Sequence, residues 1–320
     1  MASTLGNYAQ DLLKGTSVIP YTSVGITQIT DTADTNARRK VLGAYTKWCG
    51  LTGLRDAQVA VDPGLSTIKI GFAASELIHG AERPDRVLVG VNCSGPDKDK
   101  EHVGAENNHR KDFYVALLES GDIVCGSVNG HEFSYIKPDI RELYRLTTTN
   151  SRDSQFRSYE ELPKGLLLFA NEETRQRGIE LNVFERVENI DDIITSPPDV
   201  PHVVEVDNFQ NPKICTTPEY LDFLRGQEGR NVQIAFGRQS LELGFDPKED
   251  FGAEFPAQVT ASFFEAPVGT NILTTRSSST LTRGQAVPML ATLRANPALT
   301  DPAYPVPQVG APVRIAPLGP

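Results

Sequence analysis

The chain has 320 residues, of which 39% are hydrophobic and 22% charged, and its formal net charge is -10 at pH 7. This composition is that of an ordinary globular protein, and the length favours two domains over one. The acidic balance argues against a nucleic-acid backbone or an anionic membrane as partner, because both attract cationic surfaces. A small or cationic ligand fits the charge better.

The four cysteines are far apart in sequence and form no Cys-x-x-Cys pair. This spacing predicts reduced thiols, and neither a disulfide framework nor a zinc knuckle. The opening MASTLGNYAQDLLKGTS lacks a basic region followed by an apolar segment, and no apolar run approaches membrane-spanning length. We therefore expect a cytoplasmic protein.

The first half of the chain alternates between strand-like and helix-like segments. SVGITQIT, AQVAVD and RVLVGVNC have the apolar patterns of strands, and ARRKVLGAYTKW and TIKIGFAASELI have helical spacing. The resulting βαβαβ order implies right-handed crossovers and a layered α/β domain with a central, mostly parallel sheet. FYVALLES and DIVCGSVNG then predict two antiparallel strands joined at Ser120 and Gly121.

The pattern changes near residue 196, where ITSPPDVPH resembles a linker because it contains Pro197, Pro198 and Pro201. Beyond it, HVVEVDNF, NVQIAFG, AQVTASFFEA and APVRIAP have the pattern of short strands between turn residues. We predict an N-terminal leader over residues 1–20, an α/β nucleoside-binding domain over 21–195 and a smaller antiparallel β domain over 196–320.

Polar residues follow several predicted strands of the first domain. Ligands of open α/β sheets bind at the carboxyl ends of the strands, which makes Asp31, Asn92 and Asn129 candidates by position. With Asp34 and Asn36, Asp31 can accept hydrogen bonds from a ribose diol and an ammonium group.

A competing interpretation of this first loop is structural. Asp34 or Thr35 can simply cap the helix expected to begin near Ala37, because short polar side chains accept from the first backbone N–H groups of a helix. Both interpretations stay open.

Two common kinds of site lack their sequence signatures. The chain has no GxGxxG and no Walker lysine motif, which disfavours a dinucleotide or a nucleoside triphosphate in the usual phosphate cradle. The polar loop over residues 97–109 is rich in acidic residues and histidine but matches no strong metal-ligand spacing. We expect no metal, and a metal-dependent hydrolase that uses this loop is kept as an alternative. The single histidines His79, His131 and His202 are expected to be surface or structural residues.

The second half of the chain contains two polar segments, each of which has two possible interpretations. In VVEVDNFQNPKI a strand-like pattern ends in polar residues around Phe209, which indicates either a turn or a site that stacks a flat ligand. In TTRSSST, Arg276 beside Ser277 and Ser278 indicates either a solvated turn or a group that holds a carboxylate.

Several of these segments, taken in order, resemble the superfamily of S-adenosylmethionine hydroxide adenosyltransferases (SAM hydrolases) and the related fluorinase and chlorinase. TDTADTNARRKVLG is similar to the family's TDFG segment with its nearby Asp and helix, and VNCSG stands where hydrolases have VDPG. GSVNG resembles GPDNG, QFRSYE resembles TFHGRD or TFYSRE, and DNFQN resembles D-x-F-G-N. The resemblance spans about residues 24–316 and closes on GAPVRI, like the family's terminal strand.

The resemblance implies a nucleoside site between the two domains, at a subunit interface of a homotrimer. In the first domain it assigns Asp31 to the ribose hydroxyls and Asp34 and Asn36 to the amino acid end of the ligand, and it makes Asn129 a binding residue as part of the GPDNG-like segment. In the second domain it assigns Asp207 to the ammonium, Phe209 to stacking on adenine and Asn211 to the adenine edge. Ser277 or Ser278 is assigned to the carboxylate. A stacked ring with a few directed hydrogen bonds is sufficient to fix a purine.

The resemblance also implies the chemistry. A sulfonium leaves readily, so displacement at the ribose C5′ requires mainly an aligned and dehydrated nucleophile. The hydrolases activate water with an Asp, an Arg and a His. Here Asn92 stands at the position of the Asp, Arg110 at that of the Arg and Arg157 at that of the His. Ser158 matches the serine that contacts halide in the fluorinase.

We therefore expect an enzyme that binds S-adenosylmethionine and catalyses hydrolysis or anion transfer, with release of methionine, or a diverged reaction in the same pocket. The alternative from another class is a non-catalytic nucleoside-binding or scaffolding protein that kept the fold.

Overall fold

The computed structural model describes residues 9, 12–14, 24–30, 35–52, 54, 58–63, 66–80, 84–93, 112–147, 159, 161–206, 211–243, 251–260, 271–274, 289–292 and 307–318. Contacts divide the chain into two compact units. The N-terminal unit comprises Met1–Ile78 and Glu82–Ser196, and the C-terminal unit comprises His79–Ala81 and Pro197–Pro320.

A seven-stranded mixed sheet forms the centre of the N-terminal unit. Its strands are β1 (Val24–Thr30), β2 (Gln58–Pro63), β3 (Arg86–Asn92), β4 (Phe113–Leu118), β5 (Ile123–Ser127), β6 (Ile140–Leu146) and β7 (Phe184–Arg186). They lie in the order β2-β1-β3-β5-β4-β6-β7. The four strands from β2 to β5 in this order are parallel, whereas β4, β6 and β7 pair antiparallel. The sheet is therefore parallel in one half and antiparallel in the other.

Helices cover both faces of this sheet. They are α1 (Thr35–Thr52), α2 (Thr67–His79), α3 (Leu162–Ala170) and α4 (Glu172–Glu180), with a 3-10 helix over Ser134–Asp139. Side chains alternate along β3, so Leu88 packs with α1 and α3, whereas Val89 packs with α2 and the 3-10 helix. Burial on both faces explains why the parallel strands are almost continuously apolar in sequence. The predicted α/β architecture, with the βαβαβ order of β1 to β3, is confirmed.

Helix α1 illustrates how the sequence specifies one of these layers. Val41, Tyr45, Trp48 and Thr52 recur at helical spacing and are all buried, while the intervening basic residues are more exposed. This stripe faces the sheet, as expected of a surface helix that buries a single side.

Part of the predicted leader belongs to the core of the N-terminal unit. Ala9 and Leu12 are buried in the same cluster as the residues of α1 and α3. In addition, Arg177 Nη1 donates to the backbone oxygen of Lys14 at 2.7 Å. These residues therefore contribute to packing, which their position in a polar segment did not indicate.

The C-terminal unit is built on a second seven-stranded sheet, with the order β14-β10-β11-β12-β13-β9-β8. Its elements are β8 (His202–Val206), β9 (Pro212–Cys215), α5 (Pro218–Gly226), β10 (Asn231–Phe236), β11 (Phe255–Thr260), β12 (Asn271–Thr274), β13 (Met289–Thr292) and β14 (Val313–Pro317). The pairs are antiparallel except β11 and β12, which are parallel. The sheet is therefore mainly antiparallel, as expected, and contains one parallel pair that the sequence did not indicate, because alternation specifies the buried face of a strand and not the direction of its neighbour.

The two outermost strands of this sheet are joined, because β8 is hydrogen-bonded to the residues directly before β14. The Val203 N–H donates to the Ala311 oxygen at 2.9 Å, and the Gly310 N–H donates to the Val203 oxygen at 2.7 Å. His202 forms a bridge with Pro312, directly before β14. The sheet therefore closes on itself at this point, which removes an exposed strand edge.

Among the described helices, none has the combination of length and hydrophobicity needed to span a bilayer.

All four cysteines are free thiols. Cys49, Cys93 and Cys125 are buried, and Cys215 is half-buried. Burial disfavours the charged thiolate, which raises the pKa of Cys49 to about 11 and that of Cys215 to about 12.

The raised pKa of Cys49 predicts a loss of stability at alkaline pH. A group with a raised folded-state pKa stabilises the fold below its unfolded pKa, and this contribution is lost as the pH rises toward the folded value. For Cys49 the window runs from the ordinary thiol value of 9.0 to about 11. When the pH is raised from about 8 to about 10.5, the free energy of unfolding of the wild type should fall by roughly 2 kcal/mol more than that of Cys49→Ala. Urea unfolding at both values tests this, and equal losses would contradict it.

Candidate functional site

The carboxyl ends of β1, β3 and β5 lie side by side at one edge of the sheet in the N-terminal unit. Thr30, the last residue of β1, pairs in register with Asn92, the last residue of β3. Strand β5 continues the parallel pairing next to β3 and ends at Ser127. The polar residues gathered here are called the carboxyl-edge cluster: Thr30, Asn92, Cys93, Ser127 and Asn129.

Asn92 and Thr30 are joined through their side chains. Asn92 Nδ2 donates to Thr30 Oγ1 at 3.4 Å, with Thr30 buried and Asn92 half-buried. Ile26 and Leu88, four residues earlier in the two strands, pack in the core beneath α1 and α3. Because side chains alternate along a strand, the Asn92 and Thr30 side chains lie on this same face.

Asn129 ties the ends of β3 and β5 together. Its Nδ2 donates to the backbone oxygen of Cys93 and, at 3.1 Å, to Ser127 Oγ. Ser127 Oγ also donates to the Cys93 oxygen at 3.5 Å. Since a backbone oxygen only accepts hydrogen bonds, the amide nitrogen of Asn129 must face Cys93, which turns its Oδ1 away from it.

A buried carboxylate holds the turn that carries Asn129. Glu132, with 0% of its surface exposed, accepts from the Asn129 N–H at 3.2 and 3.1 Å and from the Gly130 N–H at 2.8 Å. Backbone N–H groups that converge on a carboxylate form charge-assisted hydrogen bonds, which are stronger than neutral ones.

The same turn packs tightly against the first turns of α2. A Cβ on Gly130 would lie 2.7 Å from Thr67 Oγ1, and a Cβ on Gly71 would collide with the backbone oxygen of His131. Only glycine permits this close approach of two backbones. The position of the turn relative to α2 is therefore fixed by sterics as well as by Glu132.

The far end of the segment is fastened to the last residues of the N-terminal unit. Ser134 Oγ donates to the Thr195 oxygen at 2.7 Å, and His131 Nδ1 lies 3.1 Å from Ser134 Oγ. Lys137 Nζ donates to the Ile194 oxygen at 2.6 Å and pairs with Asp191 at 2.8 Å. Residues 129–137 therefore form a strap that is anchored at both ends.

The structure places four of the predicted site residues. Asn92 and Asn129 meet in the carboxyl-edge cluster, as their positions after strands predicted. Asn36 is exposed and is the second residue of α1, which begins at Thr35, two residues before the expected start near Ala37. Asn211 is half-buried directly before β9 in the C-terminal unit.

The other predicted site residues lie outside the described residues. They are Asp31, Asp34, Arg110, Arg157, Ser158, Asp207, Phe209, Ser277 and Ser278. The polar loop over 97–109 lies outside them as well. Within the ranges that the structure does describe, no group of three or more His, Cys, Asp or Glu side chains is arranged to hold a metal ion.

Four residues of this region were not predicted as site residues: Thr30, Cys93, Ser127 and Glu132. Thr30 and Cys93 had a detectable signal, because each ends a predicted strand, and Ser127 lies within the predicted strand DIVCGSVNG. The role of Glu132 was hidden, since it depends on a turn that brings two backbone N–H groups to its carboxylate. His202 is buried with Nδ1 2.7 Å from the Val200 oxygen, in keeping with the expected structural role.

The carboxyl-edge cluster consists of uncharged groups. Hydroxyl and amide side chains donate and accept hydrogen bonds without gaining or losing protons near neutral pH. Such a set suits the orientation of a polar ligand with hydroxyl or amino groups. It does not itself supply a general base.

Comparison with known proteins establishes the fold and nothing further. No protein-family model matches the chain, and no curated protein matches it either. The structure is similar to the crystal structure of an uncharacterized conserved protein from Thermotoga maritima, with a TM-score of 0.60 and 12% sequence identity. The match covers 91% of this chain and 100% of the other chain. At this identity the similarity concerns the fold alone.

Proposed function

We propose that the chain binds S-adenosylmethionine at the carboxyl-edge cluster and catalyses nucleophilic displacement at the ribose C5′. One observation carries this proposal: Thr30, Asn92 and Asn129 join the carboxyl ends of three neighbouring parallel strands through side-chain hydrogen bonds. This is the edge at which open α/β sheets bind their ligands.

The proposed reaction places modest demands on the protein. The nucleophile forms a bond to C5′ while the C5′–S bond breaks, and the electron pair of that bond moves to sulfur to give neutral methionine. The leaving group needs no proton. Alignment of the nucleophile and exclusion of water therefore supply the rate, and a sheet edge held by hydrogen bonds supports the alignment.

The amide of Asn92 bears on the choice of nucleophile. An amide can orient a water molecule or an anion but cannot remove a proton from water. Anion transfer needs no base at this position, whereas hydrolysis requires another group to take the proton. Asp31 for the ribose hydroxyls, Arg110, Arg157 and Ser158 at the reaction centre, and Phe209 for the adenine remain proposals from the resemblance, as does a homotrimeric assembly.

A second function is favoured by one specific observation. All described members of the carboxyl-edge cluster are uncharged, and the residue at the end of β3 is an amide where the hydrolases have a carboxylate. A protein that binds a nucleoside without turning it over would retain recognition groups and lack the base. Non-catalytic nucleoside binding is therefore the alternative to catalysis.

Incubation with S-adenosylmethionine, followed by mass spectrometry, separates the two functions. We expect adenosine in buffer alone or a 5′-substituted adenosine when halide is added, with an equal amount of methionine in each case. Heat-denatured protein serves as the control for spontaneous breakdown. An unchanged ligand that co-purifies with the protein would support the binding function, and no retained ligand and no product would contradict both.

A further inference from the structure

The acceptor atom of Asn129 has a defined direction. Both hydrogen bonds of its side chain use Nδ2, which donates to the Cys93 oxygen and to Ser127 Oγ. Among the described residues, nothing donates to its Oδ1. The amide is therefore held with its nitrogen toward the protein and its oxygen available to a hydrogen-bond donor.

Glu132 is the group that fixes the backbone from which this side chain projects. Its carboxylate is fully buried and accepts from the Asn129 and Gly130 N–H groups at distances between 2.8 and 3.2 Å. These bonds determine where the Cα of Asn129 lies, and hence whether Nδ2 reaches its two acceptors. Unlike Ser134 and Lys137, which anchor the far end of the strap, Glu132 acts directly on the residue at the sheet edge.

We propose that Glu132 is a positioning residue: it orients Asn129 so that the Oδ1 atom accepts a hydrogen bond from a hydroxyl or ammonium group of the ligand. This inference rests on the proposed function for the identity of the ligand. The orientation itself does not depend on it, because every group that sets it belongs to the protein.

Hydrogen exchange of the Asn129 side-chain amide tests the orientation without a ligand. In protein labelled with ¹⁵N-asparagine, and with the signal assigned by its loss in Asn129→Asp, exchange with water is measured by magnetisation transfer. We expect the Nδ2 hydrogens of Asn129 to exchange at least about tenfold more slowly than those of exposed Asn231, because hydrogen bonds protect them. Equal rates in the wild-type protein would overturn the proposal.

Substitution of Glu132 tests its role. Glu132→Gln keeps the shape and one acceptor oxygen but places an NH₂ group against a backbone donor, so the Asn129 amide should lose its protection. Glu119→Gln is the matched control, since Glu119 is exposed in the same unit and the change of charge is the same. Protection retained in Glu132→Gln would overturn the proposal.

Folding is monitored in the same spectra through the signals of Asn171 and Asn189. If Glu132→Gln does not fold, the wild-type protein still decides the question: deuterium at the Asn129 and Gly130 amides shifts the ¹³C resonance of the Glu132 carboxyl group only if the hydrogen bonds exist. The absence of that shift would overturn the proposal.

Titration with adenosine and with S-adenosylmethionine then separates this inference from the proposed function. If the wild type binds, we expect Glu132→Gln to bind about tenfold or more weakly and Glu119→Gln to bind normally, since a misplaced polar group forfeits a directed hydrogen bond. Equal binding by Glu132→Gln would contradict the positioning role. If the wild type binds neither ligand, the proposed function fails while the exchange measurements still decide the role of Glu132.

Discussion

Gly71→Ala should destabilise the N-terminal unit by about 3 kcal/mol or more, because it forces apart two backbones that are in close contact. The added Cβ would collide with the backbone oxygen of His131, which belongs to the strap and cannot rotate away as a flexible side chain can. Relief therefore requires movement of the turn that carries Asn129. Chemical denaturation with circular dichroism measures the free energy of unfolding.

Gly43→Ala is the matched control for this substitution. Gly43 is also an interior helical glycine of the same unit, but a Cβ there meets nothing within 4 Å. Its replacement should stabilise the protein by roughly 0.5–1 kcal/mol through helix propensity and a less flexible unfolded chain. Similar effects of the two substitutions would show that the contact between α2 and the strap is not tight.

Asn92→Asp should raise the rate of adenosine formation from S-adenosylmethionine by about tenfold or more, since a positioned carboxylate can act as a general base toward water. The hydroxyl of Thr30 can donate to the new carboxylate, which preserves the pairing now made by Asn92 Nδ2 at 3.4 Å. Hydrolysis should gain relative to anion transfer. Chromatography of adenosine and 5′-substituted adenosine measures the ratio.

Asn231→Asp controls for the change in net charge, because Asn231 is exposed on β10 of the C-terminal unit. It should leave both product rates unchanged. Equal adenosine formation by the wild type, Asn92→Asp and Asn231→Asp would remove Asn92 from the reaction centre. A fall in hydrolysis for Asn92→Asp alone would indicate that the amide contributes more than a carboxylate can.

The elements that were predicted from sequence are those with one dominant pattern. Strands β1 to β5 are apolar runs bounded by polar residues, and α1 has a single buried stripe. Helix α3, LPKGLLLFA, was missed because it is buried on nearly all sides, so no polar face marks its period. The short strands β12 and β13 are four residues each, too few for alternation to be recognised.

The residues of the candidate site were likewise predictable only where one simple rule applies. Asn92 and Asn129 were predicted because residues after parallel strands meet at one edge, a rule that needs only the order of elements. Their hydrogen bonds to Thr30 and Cys93 follow from the register between strands, which a single sequence does not specify. The role of Glu132 could not be predicted from the sequence, because a buried acid is recognisable only once its backbone donors are known.

A crystal soaked with S-adenosylmethionine or adenosine tests the central claim most directly. The account predicts ligand density at the end of β1, β3 and β5, with a hydroxyl or ammonium group within hydrogen-bond distance of Asn129 Oδ1 and a further polar contact to Asn92. Density bound elsewhere in the molecule, with these two amides in contact only with protein and water, would contradict it.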